Sequence, residues 1–280
     1  MSLLARYGPW AIVAGASEGT GQAFARQLAA AGLDCLLIAR REAPLTALAD
    51  ELRGQYGVEC ITATIDLARP DACDLIVAAV ADREIGLFVA NAGGDPAGVP
   101  FLDRPAEAWA DLIARNVTTT MRCCHHFAGP MRDRGRGGLL LVGSGACYGG
   151  ANNMAVYAGT KAFDLCLAEG LWSELRPHGV DVLYLSLGRT DTPELRRFLG
   201  EKGVPVPDGL ASPDAVAELG LARLPDGPVH NWGQEDDDIG RLPQSAAQRR
   251  ARVEMIAAAS QAIYGKSDQA AGGSATRKRS

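Results

Sequence analysis

Tyr157 and Lys161 stand four residues apart in the helix-compatible stretch YAGTK, and Ser144 closes the apolar run GLLLVGS thirteen residues earlier. Residues i and i+4 share one face of a helix, so the ammonium lies beside the phenol. A phenol titrates near ~10, and a neighbouring cation favours its phenolate. A tyrosine tuned in this way gives and takes protons near neutral pH. The same spacing also describes an ordinary amphipathic helix surface. The company the pair keeps decides between the two.

A second cluster, Gly15-Ala-Ser-Glu-Gly19-Thr-Gly21, follows an apolar run and opens a helical one. Glycines let the backbone turn tightly against a pyrophosphate, and a helix N-terminus offers free N–H groups and a positive dipole. A glycine-rich turn alone is often merely a loop, but a place between strand and helix marks a dinucleotide site. No Lys-Ser/Thr follows it, so a nucleoside triphosphate loop is not supported. Arg40 and Arg41 stand at the end of the second apolar run, with Glu42 close behind. An acidic residue there meets a cofactor without a 2′-phosphate, whereas arginine suits the phosphate itself. The expectation is NADP(H) in preference to NAD(H), which stays possible; solvated charge flanking a helix is the competing account.

These residues need a frame. Short apolar runs at Trp10–Ala14, Cys35–Ala39, Val58–Ile65, Leu87–Asn91, Leu139–Ser144, Val180–Leu187 and Val229–Trp232 alternate with amphipathic stretches near 19–31, 44–56, 70–82, 105–132, 154–177 and 212–224. Such alternation predicts an α/β fold, a doubly wound parallel sheet of about seven strands with helices on both faces and right-handed crossovers. One dinucleotide-binding domain is expected over 1–265. It includes a substrate excursion at 188–211 with a short helix at Glu194–Gly200, and an appended helix at 245–264. The polar tail at 266–280 is expected to be disordered.

With 280 residues, 47% hydrophobic, and a formal net charge of -5, the chain has ample core. The charge gives no reason to expect nucleic acid or membrane partners. No apolar run approaches the ~20 residues of a membrane helix. The N-terminal stretch resembles a first strand more than a signal peptide. The seven cysteines form no CxxC pair and are expected to be small core residues in a reducing cytoplasm. His125 and His126 are adjacent and lack metal-ligand spacing. The acidic run Glu235–Asp238 lacks the pattern of a calcium loop, so no metal is expected. Ser144 sits in VGSGA, without the glycine two residues earlier that a hydrolase nucleophile elbow needs.

The ordered set Gly15xxxGly19xGly21, Asp66, Asn91-Ala92-Gly93, Asn116, Ser144, Tyr157xxxLys161 and Gly188xxxThr192 resembles the short-chain dehydrogenase/reductases, from about Tyr7 to about Trp232. The stretches YGPWAIVAGASEGTG, LLIARR and YAGTKAF are similar to the branch of 17β-hydroxysteroid dehydrogenases and 3-oxoacyl-thioester reductases. The resemblance implies a catalytic set of Asn116, Ser144, Tyr157 and Lys161. In it Tyr157 is the acid/base, Ser144 bonds the substrate oxygen, Lys161 contacts the nicotinamide ribose, and Asn116 holds a water. It implies cofactor contacts from Gly15, Ser17, Glu18, Gly19, Thr20, Gly21, Arg40, Arg41, Asp66, Leu67, Asn91, Ala92, Gly93, Gly188, Thr190 and Thr192, besides Tyr157 and Lys161. Ala14, Thr20, Ala90 and Leu187 depart from the family pattern without removing a reacting group. Arg189 is open to two accounts, contact with a substrate carboxylate or phosphate, or an ion pair with Asp191 or Glu194.

The implied activity is oxidation and reduction at a CH–OH donor. The stretches 94–101 and 146–151, with Met154, should line a mixed, largely apolar pocket for a lipophilic carbonyl or secondary alcohol such as a steroid, acyl or aryl ketone. The long helices at 105–132 and 154–177, with Val156, Phe163 and Leu167, should pair copies into a homodimer or homotetramer. A catalytically silent NADP(H)-binding regulatory or scaffold protein on the same fold is the alternative.

Overall fold

The computed structural model describes residues 2–95 and 97–234, and Met255. The expected acidic run at 235–238 and tail at 266–280 lie outside the described residues, as does the appended helix at 245–264 apart from Met255.

Seven strands form one sheet: β1 (Trp10–Ala14), β2 (Asp34–Ala39), β3 (Cys60–Thr64), β4 (Ile85–Ala90), β5 (Gly137–Val142), β6 (Val180–Ser186) and β7 (Val229–Asn231). Their order is 3-2-1-4-5-6-7, and every neighbouring pair is parallel. The order reverses between β1 and β4, so the loops leaving their carboxyl ends part there and open a crevice. The helices that flank the sheet are α1 (Leu3–Tyr7), α2 (Gly19–Ala30), α3 (Glu42–Tyr56), α4 (Ala72–Val80), α5 (Ala106–Ile113), α6 (Thr119–Arg134), α7 (Ala155–Leu175), α8 (Pro193–Glu201) and α9 (Pro213–Arg223).

Strand residues alternate between two cores, as the pleat requires. Ala11, Val13, Leu37 and Leu185 pack with Phe24, Leu48 and Leu221 from α2, α3 and α9. Ile12, Leu36, Phe88 and Leu139 pack with Ile76, Phe127 and Leu165 from α4, α6 and α7. Burial on both faces explains why the strands look continuously apolar in the sequence.

The structure departs from the expected elements in several places: α1 was not expected, and β3, β6 and β7 are each shorter than expected. The single helix expected over 105–132 is two, joined by a π-turn at Ala114–Thr118 in which the Thr119 N–H reaches back to Ala114 O. β4 and β5 end sooner than expected, leaving Asn91 and Ser144 just past them, where the chain turns away from the sheet. Six cysteines are buried, but Cys166 is exposed on the outer face of α7.

Gly143 lies where the chain crosses the fully buried ring of Tyr184, and an added Cβ would stand 2.0 Å from the ring carbon Cζ. A packed interior transmits such an intrusion rather than absorbing it. Gly143→Ala is therefore expected to lower unfolding stability by about 1–3 kcal/mol, measured from urea denaturation. An unchanged midpoint would show that the ring is free to move.

Candidate active site

The crevice begins with the glycine turn. Gly15 (φ 83°) and Gly19 (φ 58°) occupy left-handed backbone that side chains disfavour. A Cβ on Gly21 would lie 2.0 Å from Gly15 O and 2.6 Å from Asn91 Nδ2, so only glycine lets α2 approach the turn. Asn91 Nδ2 donates to Gly15 O (3.1 Å), while the Asn91 and Ala92 amides donate to Ala14 O, tying the loops after β1 and β4. No side chain caps the N-terminus of α2. Its first N–H groups are thus available to an anion. A cradle closed to any Cβ, with uncapped donors, fits the pyrophosphate of a dinucleotide.

The expected adenosine residues sit at one end of this cleft. Arg40 is exposed and enters no ion pair among the described residues, whereas Arg41 donates to Ser17 Oγ (3.2 Å) and pairs with Glu18 Oε2 (2.8 Å). Asp66 accepts the Ala68 N–H (3.0 Å), and Leu67 is buried beneath, its carbonyl held by Thr119 Oγ1 (2.8 Å).

The proton-handling candidates lie at the other end. Ser144 follows β5, and the Tyr184 hydroxyl clamps its main chain, accepting from Ser144 N (3.0 Å) and donating to Ser144 O (3.1 Å). Ser144 Oγ accepts the Ala146 N–H (3.2 Å), which leaves its own O–H to donate elsewhere. Tyr157 is half-buried, and its phenol has no hydrogen-bond partner among the described residues. Lys161 is buried, with Nζ donating to Val142 O (3.1 Å) and pairing with Asp164 Oδ2 (3.3 Å).

Asn116 is buried in the π-turn, where Nδ2 donates to Gly93 O (3.2 Å) and Thr160 Oγ1 (3.1 Å). Thr160 in turn donates to Tyr157 O (2.7 Å). A Cβ on Gly93 would lie 3.1 Å from Lys161 Nζ and 3.3 Å from Asn116 Oδ1, so Gly93, Asn116 and Lys161 meet. Helix breaks of the π type recur where a side chain or carbonyl must be re-aimed for function.

The excursion after β6 folds back over the crevice. Gly188 faces open space, and Thr190 bridges to Ala211. Thr192 caps α8 through the Leu195 N–H (3.1 Å), and its methyl lies 3.0 Å from a Cβ built on Gly19. Arg197 of α8 grips both oxygens of Glu18, which with Arg41 hold that carboxyl below its ordinary pKa. Arg189 makes neither expected ion pair: Arg196 takes Asp191 in two bonds, and Arg189 is exposed. Tyr148, expected on the pocket wall, is buried instead, its hydroxyl on Asn231 Oδ1 (2.6 Å). His125 and His126 are exposed, and the described residues contain no group of three or more His, Cys, Asp or Glu able to hold a metal ion.

Sequence reasoning missed Asp164, Tyr184 and Arg197. Asp164 left a legible signal, a carboxylate three residues after Lys161 in the otherwise apolar AFDLCL. Burial raises its pKa, against the opposing pull of Lys161, and its Oδ1 has no partner among the described residues.

A family model for short chain dehydrogenases matches residues 9–201, and the chain belongs to that family. It is 32% identical over 226 residues to the 7beta-hydroxysteroid dehydrogenase of Collinsella aerofaciens, covering 80% of this chain and 86% of the relative. A very-long-chain 3-oxoacyl-CoA reductase of Laccaria bicolor is 36% identical over 186 residues, covering 65% of this chain and 55% of the relative. A solved structure of a short-chain dehydrogenase from Sphingobium yanoikuyae in complex with NADPH superposes with a TM-score of 0.72 at 28% identity, covering 97% of this chain and all of that one.

The buried Lys161–Asp164 pair gives a direct stability test. Removing one partner of such a pair leaves an uncompensated charge, whereas replacing both with apolar groups is often neutral. Asp164→Asn is expected to cost about 3 kcal/mol, and Lys161→Met combined with Asp164→Leu to recover most of it, both by denaturant titration. Additive losses in the double variant would show that the two groups are not coupled.

Proposed function

We propose that the chain is an NADP(H)-dependent oxidoreductase that interconverts a carbonyl and a secondary alcohol on a lipophilic substrate. The observation that carries this is the convergence of Lys161, Asn116 and Gly93 at the crevice, beside a clamped Ser144 and a Tyr157 phenol left unpartnered. The first is a buried cation among acceptors, and the others are a directed donor and a free proton carrier. When bound, a reduced nicotinamide supplies the hydride that a carbonyl carbon accepts.

The chain's own groups then handle the oxygen. Ser144 donates its O–H to the carbonyl oxygen, where negative charge develops. Tyr157 passes its phenolic proton to that oxygen and takes it back in the oxidative direction. Lys161 holds its amine in the same crevice, one helical turn on from Tyr157, on Val142 O and Asp164 Oδ2. Asn116, joined through Thr160 to Tyr157 O, keeps the two ends of this arrangement in register.

A lipophilic substrate is supported by the relatives' own names, a hydroxysteroid in one and a very-long-chain acyl group in the other. Phe101 (55% exposed) and Leu102 (89%) add apolar surface at the loop after β4. A homo-oligomer is supported by the exposed Met121 of α6 and Phe163 of α7.

Tyr157→Phe should reduce turnover at least 100-fold while leaving NADPH affinity within a factor of about two, assayed by nicotinamide absorbance against steroid, acyl-thioester and aryl ketones. Turnover near the parent rate would remove Tyr157 from the proton step. Cofactor binding by the parent without turnover on any of these ketones would favour the silent binding protein. Arg40→Ala should raise the Michaelis constant for NADPH by roughly tenfold or more and leave that for NADH nearly unchanged, as charge-assisted phosphate bonds predict. Arg41→Ala should do less, because Glu18 already holds that guanidinium. Equal effects on both cofactors would take Arg40 away from the phosphate.

A further inference from the structure

The first turn of α8 touches both lips of the crevice. On the β1 side, Thr192 Cγ2 and Pro193 Cδ lie 3.0 and 3.7 Å from a Cβ built on Gly19. On the β4 side, Glu194 Oε1 lies 3.5 Å from a Cβ built on Gly94. Gly19 belongs to the glycine turn, and Gly94 follows the Gly93 that meets Asn116 and Lys161. A dinucleotide lying between these lips is therefore roofed by α8, and its passage in or out displaces the helix.

Little apolar contact holds this roof down. Leu199 is the one buried residue of α8. The excursion closes on a narrow base, where Thr190 bridges Ala211 and the Asp191 N–H donates to Ala211 O (2.9 Å). Arg196 spends both its bonds on Asp191, inside the excursion. An element with so few buried side chains opens locally at far less cost than the whole domain unfolds.

Arg197 is the side chain that fastens this flap to the body. Its Nη1 and Nη2 donate to Glu18 Oε2 (3.0 Å) and Oε1. Glu18 directly precedes α2 in the glycine turn, and Arg41 Nη2 holds its Oε2 as well (2.8 Å). Two parallel bonds from a planar fork fix the direction of the pair as well as its distance. Among the described residues, no other ion pair joins α8 to the body of the fold.

We propose that the Arg197–Glu18 pair is a latch on α8 that sets how fast the cofactor enters and leaves the crevice. This rests on the dinucleotide reading of the site. Both partners belong to the chain itself, so breaking the pair eases passage in either direction. Association and release then rise together and the dissociation constant stays in place. A side chain bonded to the cofactor behaves otherwise, because its loss acts mostly through release and weakens the equilibrium.

NADPH is the probe, its association and release followed by stopped-flow nicotinamide fluorescence. The proteins are the parent, Arg197→Met, Arg197→Lys and Arg196→Met. At low salt Arg197→Met should raise both rates by about two- to fivefold, the range of an exposed ion pair, and keep the dissociation constant within about twofold. Raising NaCl from about 0.05 to about 0.5 M shortens the screening length and should bring parent and variant together. Arg197→Lys keeps the charge without the fork and should fall between them. Arg196→Met removes an equal charge from the same helix but leaves the latch, and should match the parent. Unchanged rates in Arg197→Met, a rise that salt does not narrow, or an equal rise in Arg196→Met would overturn the proposal alone. A weaker dissociation constant carried by release only would make Arg197 a cofactor ligand and overturn it too. A parent that binds neither NADPH nor NADH would overturn the dinucleotide reading, and the latch with it.

Discussion

A lysine amine sealed inside a protein has to be surrounded by acceptors, and the candidate-site end of this fold is arranged around that requirement. Lys161 is 4% exposed, on the face of α7 turned toward the sheet. A carbonyl at the end of β5 and the carboxylate of Asp164 supply its acceptors. Because Val142 O belongs to the strand and Asp164 to the helix, the ammonium fixes the helix against the sheet. Asn116 extends the same constraint to α6 by holding Gly93 O and Thr160 Oγ1 together.

At the other end of the crevice the constraint is steric rather than electrostatic. Gly15, Gly19 and Gly21 admit a main chain that no Cβ could follow, and Asn91 joins that turn to the loop after β4. Charge then decorates the rim. Glu18 occupies Arg41 and Arg197 together, so the phosphate turn, the end of β2 and the covering helix α8 share one carboxylate.

Much of this was legible from the chain. The alternation of apolar runs with amphipathic stretches is a direct image of strands buried on both faces, so a doubly wound parallel sheet of about seven strands was accessible, though the order of its strands was not read. The glycine turn and the Tyr157–Lys161 spacing were accessible because each depends on local geometry. The π-turn was not, since a single extra residue in a helix leaves the apolar periodicity of 105–132 almost undisturbed. Tyr184 and Arg197 were hidden for a different reason. Their partners, Ser144 and Glu18, lie 40 and 179 residues away, and no local pattern reports on contacts of that range. Arg189 is the reverse case: of the two accounts left open for it, the ion pair with Asp191 falls away because Arg196 takes that carboxylate.

The bonds of the buried network have one more property in common. The hydrogen bonds of Asn116, Thr160, Lys161 and Asp164 run to Gly93, Arg115, Tyr157, Val142 and one another, and among the described residues none reaches 146–151 or 188–211. The excursion is fastened separately, by Arg197 to Glu18 and by main-chain bonds from Ala211 N to Arg189 O and from Asp191 N to Ala211 O. A change of sequence in those two stretches therefore breaks no hydrogen bond of the buried network; among the described residues, what joins 146–151 to the side chains proposed to handle the substrate oxygen is the Ala146 N–H on Ser144 Oγ.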